Sequence, residues 1–278
     1  MTGPQRDSAA PTPGPTAGPR LAVTLLTVIP LPARAVASEP APDRATAGVA
    51  MAWAPAVGVL LGAIAAGLLV AVDHPLGAGP LAGAVLAVAA LALLTRGLHL
   101  DGLADLADGL GSGKPADDAL AIMRKSDIGP LGVATLVFAV LLQVAAVARA
   151  ESLSAVRGAA VLVVALTASR LAMTWACRTG VPAARPGGLG AMVAGGVRVR
   201  VPFAQTVVAL AAVTGAVLLW PETGWMLPVA FVAGLTAAFV LERHAVHRLG
   251  GITGDVLGAL AEVTATVVVV LACLGPPA

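Results

Sequence analysis

Leu76-Gly-Ala-Gly-Pro-Leu-Ala-Gly-Ala-Val-Leu-Ala-Val-Ala-Ala-Leu-Ala-Leu-Leu-Thr95 runs for twenty residues without a charged side chain, and Arg96-Gly-Leu-His-Leu-Asp-Gly-Leu-Ala-Asp-Leu-Ala-Asp-Gly-Leu-Gly-Ser-Gly-Lys114 follows at once. The first stretch has the roughly 20 apolar residues that a helix needs to cross a bilayer. The second holds three of the chain's fifteen carboxylates, Asp101, Asp105 and Asp108, within eight residues. An apolar span that runs straight into an acid-rich helix predicts an all-α, membrane-embedded bundle with its polar chemistry at one surface.

Working outward, six more stretches qualify as spans, at about 47 to 72, 128 to 148, 158 to 177, 204 to 220, 224 to 241 and 256 to 275, which makes about seven in all. The composition agrees. Of 278 residues 58% are hydrophobic and 12% charged, with a mean hydropathy of +0.91, against roughly 25% charged in soluble domains. A net charge of +2 gives no sign of a nucleic-acid partner; the lipid bilayer is the partner that composition implies. Cys177 and Cys273 have no Cys or His at metal-ligand spacing and read as helix packing residues.

The first twenty residues carry five prolines and read as a disordered Pro/Ala/Gly-rich tail, with 21 to 278 as a single membrane-embedded catalytic domain. Residues 21 to 29 form an apolar run too short to span. A leader cleaved at Ala35-Val-Ala37 is one reading of it. Pro30 and Pro32 break the run and favour a short buried or interfacial segment instead.

With the N-terminus inside, the inner segments (the tail, 96 to 127, 178 to 203 and 242 to 255) hold 4, 4, 4 and 2 Lys/Arg, against Arg149 and Arg157 outside and Arg170 within a span. That bias satisfies the positive-inside rule and puts every acidic or glycine-rich motif on the cytoplasmic face of an inner membrane. Trp220 and Trp225 flank the outer turn Pro221-Glu-Thr-Gly224, where indoles favour the headgroup boundary.

The i, i+4, i+7 spacing of Asp101, Asp105 and Asp108 stacks them on one helical face, where like charges raise one another's pKa unless a cation sits among them. Oxygen-only donors at that density favour Mg²⁺, with Mn²⁺ second, and Mg²⁺ sites recruit substrate phosphates. A solvated amphipathic helix is the bland alternative. His99 lies about 200° around the helix from Asp101 at 100° per residue, so it takes either a substrate contact or a packing role. Asp117 and Asp118 follow Lys114-Pro115 and read as N-terminal charges of the next helix, which is expected to carry Arg124, Lys125 and Asp127 toward the membrane, for snorkelling or for phosphate contacts. Arg170 is costly inside a span and by default functional. Arg185 stands beside a glycine-rich turn, Ala184-Arg-Pro-Gly-Gly-Leu-Gly190. In Leu249-Gly-Gly-Ile-Thr-Gly-Asp-Val-Leu-Gly-Ala-Leu-Ala-Glu262, Asp255 and Glu262 are seven apart and share a face, expected to open into one polar cleft.

Taken together, His99-Leu-Asp-Gly-Leu-Ala-Asp105, Asp108-Gly109, Ile122-Met123, Ile128-Gly129, Ala184-Arg-Pro-x-Gly-Leu-Gly190 and Gly250-Gly-x-Thr-Gly-Asp-x-Leu-Gly-Ala259 with Glu262 resemble the cobalamin synthase family, the adenosylcobinamide-GDP ribazoletransferases. The likeness begins near Leu21 and runs almost to the C-terminus. One departure is Lys125-Ser126-Asp127, where the charges of an Asp-Ser-Arg pattern are exchanged. The resemblance implies a Mg²⁺-dependent membrane transferase of late cobalamin assembly that joins adenosylcobinamide-GDP to α-ribazole or its 5′-phosphate and releases GMP, alongside other cobalamin-assembly enzymes. It implies Asp101, Asp105 and Asp108 as metal and catalytic residues and Asp255 and Glu262 as further acids. His99, Arg170, Arg185, Arg124, Gly102, Gly109 and Thr253 are implied on the substrate side.

Two other readings compete. Asp105-x-x-Asp108-Gly109 matches the first part of the CDP-alcohol phosphotransferase motif, but no Ala-Arg follows at the required offset and Asp117 and Asp118 are adjacent rather than a turn apart. An ion-coupled transporter would use Arg170 and Glu262 in its spans, yet the acids concentrate in one loop and no inverted repeat of hydropathy is visible. Orientation is open to direct test. Cysteines introduced by Lys114→Cys and Gly188→Cys should resist a labelling reagent confined to the outside of intact cells, and modification of either would invert the topology.

Overall fold

The computed structural model describes residues 14, 16–32 and 42–274; the Ala35-Val-Ala37 alternative lies outside them, as does the tail up to residue 13. Among the described residues the chain is all-helical. α1 (Ala17–Leu26) precedes α2 (Arg44–Asp73), α3 (Pro80–Leu94), α4 (Leu98–Gly111), the short α5 (Ala116–Ile122), α6 (Pro130–Leu153) and α7 (Ala155–Ala176). The one-and-a-half-turn α8 (Gly188–Val193), α9 (Arg200–Leu219), α10 (Met226–Leu249) and α11 (Gly254–Ala272) follow. Residues 17 to 20, grouped with the tail by composition, belong to α1, which buries Ala17, Gly18, Ala22 and Leu26 in packing on α2. The apolar run is thus a short buried segment.

Six of these helices are individually long and apolar enough to cross a membrane, and α3 with α4 makes a seventh only as a pair bent by 86°. The expected span at 76 to 95 is therefore shorter than its apolar run. Gly77 and Gly79 take positive φ, so the helix starts only at Pro80, and its 15 residues reach about 22 Å against a hydrocarbon core of about 30 Å. We take α3 as the span and α4 as leaving it. The corner is made by Arg96 at φ 56 and Gly97 at φ 66: two successive left-handed residues end α3, with the Gly97 amide donating to the Ala92 carbonyl at 2.7 Å as in a C-terminal cap.

α7 is central. It is buried almost all round, from Val161 through Ala176, as a helix enclosed by others must be. α2 lies along it with Gly58 and Gly62, a Gly-x-x-x-Gly pair whose missing side chains let the backbones touch: a Cβ at Gly62 would stand 2.7 Å from Val163 Cα, and one at Gly58 would meet the Leu166 carbonyl. α9 is peripheral, burying only Pro202 and Val213. Its outer face shows Phe203, Val207, Val208, Leu218 and Leu219, and α6 shows Phe138, Leu141 and Leu142. Outward-facing apolar surface on this scale suits lipid rather than water.

Polar contacts gather at two opposite ends. At one, Arg44 donates to the Ala194 carbonyl at 2.8 Å, Arg248 to the Lys114 carbonyl at 3.2 Å, and Arg178 pairs with the buried Glu242 at 2.7 Å. At the other, His74 lies 3.2 Å from Glu151 and Arg157 donates to the Glu222 carbonyl at 3.1 Å. α4, the Arg185 loop and the start of α11 all belong to the first end. Gly62→Leu should lower the stability of the detergent-solubilised protein by about 1–3 kcal/mol through overpacking. Gly67→Leu, where no atom lies within 4 Å of an added Cβ, should leave the thermal midpoint in place.

Candidate active site

Three elements converge. α4 crosses the start of α11 with no side chain between them at Gly102: a Cβ there would sit 2.6 Å from the Asp255 carbonyl oxygen and 2.9 Å from Asp255 Cα. One turn on, a Cβ at Gly258 would stand 3.1 Å from His99 Cα. The loop before α8 is laced to the loop before α11 by hydrogen bonds from the Ile252 amide to the Pro182 carbonyl (2.9 Å) and from the Ala184 amide to the Ile252 carbonyl (3.0 Å). Gly190 allows this approach, since a Cβ there would lie 2.8 Å from Thr253 Cα. In consequence Arg185 faces Asp255, with Nη2 3.5 Å from Oδ2.

Asp105 stands at the electrostatic centre. Partial burial, followed by the charges of Asp101, Asp255 and Asp108, raises its carboxyl from the usual 3.8 to about 6, while Arg185 pulls the other way. Asp101 is exposed and Asp105 half-buried. Asp108 has a different surrounding. Its Oδ2 accepts from the Gly129 amide at 2.6 Å and its Oδ1 from the Gly132 amide at 2.9 Å, so it caps α6 from outside and fixes the loop that follows α5. A carboxylate has about four lone-pair positions, and two remain. No three acids of this centre bring their oxygens within 4.8 Å of one another, so they do not by themselves form a closed metal site. Thr253 caps α11 by accepting from the Val256 amide (3.2 Å) and donates to Asp255 Oδ2 (3.2 Å). Arg185 Nε is buried without a hydrogen-bond partner, a donor left over for an anion.

A second, buried compartment lies behind His99. Arg170 is 3% exposed; its Nη1 donates to Ser169 Oγ at 2.6 Å, its Nη2 lies 3.5 Å from His99 Nδ1, and its Nε has no partner. Arginine only donates, so Nδ1 faces it as an acceptor. Glu262 Oε2 accepts from Gln143 Nε2 at 2.8 Å, and Gln143 also donates to Thr266 at 2.9 Å. Arg170, Gln143 and Glu262 line a cavity of about 40 Å³, room for a water and not for a substrate.

The chain matches the family model described as cobalamin-5-phosphate synthase over residues 18–273. It belongs to the cobalamin-5-phosphate synthase family. A protein of Frankia casuarinae named adenosylcobinamide-GDP ribazoletransferase is 44% identical, with 93% of this chain and 95% of that one covered. Proteins of the same name from Corynebacterium efficiens (39% identical, 82% of each chain) and Bradyrhizobium diazoefficiens (36%, 91% of each) are similar along most of their length. No solved structure matches.

Within this family member the structure sorts the residues that the motifs single out. Asp101, Asp105, Asp255, Arg185, Gly102 and Thr253 come together, and Asp108 joins them as the anchor of α6. Gly109 packs α5, with a Cβ there 2.6 Å from Met123 Cγ. Glu262 shares its helical face with Asp255 but opens into the buried compartment, because Gly258 between them is covered by His99; one common cleft is not formed. Arg170 accordingly sits with Glu262 and not with Arg185. α5 ends at Ile122, so Arg124, Lys125 and Asp127 are exposed loop residues rather than helical ones, while Asp117 and Asp118 do fall in the first turn of α5. Gln143 was missed. A lone amide in an apolar span is a signal of its own, and here it satisfies the buried Glu262.

The raised Asp105 carboxyl has a consequence for stability. A folded-state pKa above the unfolded value favours the native state while the group is protonated, so this contribution is present below about pH 4 and lost as pH rises to about 6. In chelator, thermal midpoints of the wild type should carry a downward component across that window that is absent in Asp105→Asn. A pH dependence identical in the two proteins would remove Asp105 from the centre of the cluster.

Proposed function

We propose that the chain joins adenosylcobinamide-GDP to α-ribazole or α-ribazole 5′-phosphate, giving adenosylcobalamin or its 5′-phosphate and GMP. The observation that carries this is the meeting of an acid cluster with an arginine that has a spare buried donor, at one end of a membrane bundle, in a chain whose relatives bear that enzyme name. A corrinoid is large and amphipathic, and an open site at the membrane surface suits it. We place this end in the cytoplasm, on the inner face of the cell membrane, from the bias of basic residues.

A ribose hydroxyl of the ribazole attacks the phosphorus that carries the cobinamide arm. A new P–O bond forms, the pyrophosphate P–O bond breaks, and GMP leaves with the bonding electrons. Such transfers depend on positioning and charge neutralisation. Arg185 offers its Nε and remaining guanidinium protons to the phosphate oxygens, and Thr253 with Asp255 holds it in place. Asp255 Oδ1, the oxygen not engaged by Thr253 or Arg185, receives the hydroxyl proton. The donor chemistry fits Mg²⁺, with Mn²⁺ as substitute: all ligands are oxygen, and four carboxylates crowd one another against one guanidinium, Arg185. Asp101 and Asp105 would hold the ion together with substrate and water oxygens, and it would supply charge neutralisation at the phosphates. Asp108 also orients the loop before α6. Arg170, His99 and Glu262 support α4 from behind.

Purified protein in nanodiscs should release GMP from adenosylcobinamide-GDP only with a ribazole acceptor and Mg²⁺. Asp101→Asn and Asp105→Asn should each reduce turnover on the order of a hundredfold, as loss of a preorganised electrostatic group does. Because Asp105 must be ionised to hold a cation, the Mg²⁺ concentration needed for half-maximal rate should rise as pH falls below about 6. Full turnover in both variants at limiting Mg²⁺ would overturn the assignment of the acids, and solute transport without GMP release would overturn the reaction.

A further inference from the structure

At the opposite end of the bundle, a carboxylate and an imidazole meet a second, buried carboxylate that has no hydrogen bond. Asp73 is the last residue of α2, His74 caps that helix, and Glu151 lies near the end of α6. His74 Nε2 is 3.2 Å from Glu151 Oε1 and 3.7 Å from Asp73 Oδ2, and one ligand atom from each of the three lies within 4.8 Å of the others. Glu151 is 3% exposed, its side chain not at all, and neither carboxylate oxygen has a hydrogen-bond partner. His74 is thus close to Oε1 without donating to it. The pocket for this carboxylate is built into the fold, since a Cβ at Gly158 of α7 would collide with Oε2.

A buried carboxylate without a hydrogen bond is costly, and two carboxylates face one imidazole. Zinc bonds of about 2.0–2.2 Å to nitrogen and oxygen at tetrahedral angles set neighbouring ligand atoms about 3.3 Å apart, which is the spacing found between His74 and Glu151. An imidazole in the set selects a borderline ion such as Zn²⁺ over Mg²⁺. We infer that Asp73, His74 and Glu151 form a Zn²⁺-type divalent metal site that clamps the end of α2 to the end of α6, with the fourth position left to water. His74, 54% exposed on its side chain, gives the ion its way in.

The test uses the full-length protein, stripped with chelator, and Zn²⁺ alone as the probe, in an Asp101→Asn/Asp105→Asn background so that the acids of the other end do not bind it. By calorimetry this protein should take up one more Zn²⁺ than the same protein carrying Asp73→Asn, His74→Ala and Glu151→Gln, and His74→Ala alone should weaken binding by about tenfold or more. Zn²⁺ should raise the thermal midpoint only where the three residues are intact. Should Glu151→Gln fail to fold, the half-exposed His74→Ala decides the matter. Equal Zn²⁺ stoichiometry with and without the three residues, or unchanged affinity in His74→Ala, would overturn the site.

Discussion

The backbone contact between α4 and the start of α11 at Gly102 is the constraint on which the acidic centre depends. With any side chain at 102 the helices would have to move apart, since a Cβ would lie 2.6 Å from the Asp255 carbonyl oxygen, and Asp105 would be drawn away from Asp255. The contact works because α4 does not continue α3. Two left-handed residues at 96 and 97 turn it through 86°, so its length lies across the end of the bundle rather than along the membrane normal. The non-glycine Arg96 in that conformation stores backbone strain, held by the packing of α4 on α11 and by the Asp108 cap on α6.

Charge is organised around that crossing. Four carboxylates gather where a nearly charge-free bundle meets water, and among the described residues one guanidinium, Arg185, directly offsets them. The imbalance is what a cation would correct; burial first, and then the acids around it, raises the Asp105 carboxyl. Asp108 escapes that frustration by accepting two backbone amides, a local solution that also fixes the α5–α6 loop. The compartment behind His99 is arranged differently: Glu262 is met by Gln143, and Arg170 by Ser169 and the Nδ1 of His99, so both side chains are held inside the bundle.

The bundle and the site were legible in the sequence to different depths. Apolar length gave the spans, with the exception of α3, whose run is shortened by Gly77 and Gly79 because two positive-φ residues cannot begin a helix. The spacing of Asp101, Asp105 and Asp108 put them on one face, but spacing does not say what that face meets, and so the capping task of Asp108 was invisible. The seven-residue interval from Asp255 to Glu262 predicts a shared cleft. Period fixes direction around an axis and not what lies between two turns; here Gly258 draws His99 into the gap and divides one face into two compartments. Arg124 was placed on a helix that in fact ends two residues earlier, at Ile122.

The two ends of the molecule differ in donor chemistry, and that difference matters for how they coexist. The end with Asp105 offers oxygen alone, well suited to a hard ion held together with phosphate and exchanged with substrate. Around Glu151 the set includes an imidazole and a carboxylate buried to the last atom, which suits an ion kept in place. Because α2 and α6 contribute to one end while α4 and the start of α11 build the other, a clamp on the first pair stiffens the frame without touching the residues that carry charge to the phosphates. Separate ions with separate tasks can then share one small bundle, because the imidazole at one end disfavours Mg²⁺ while phosphate oxygens at the other favour it.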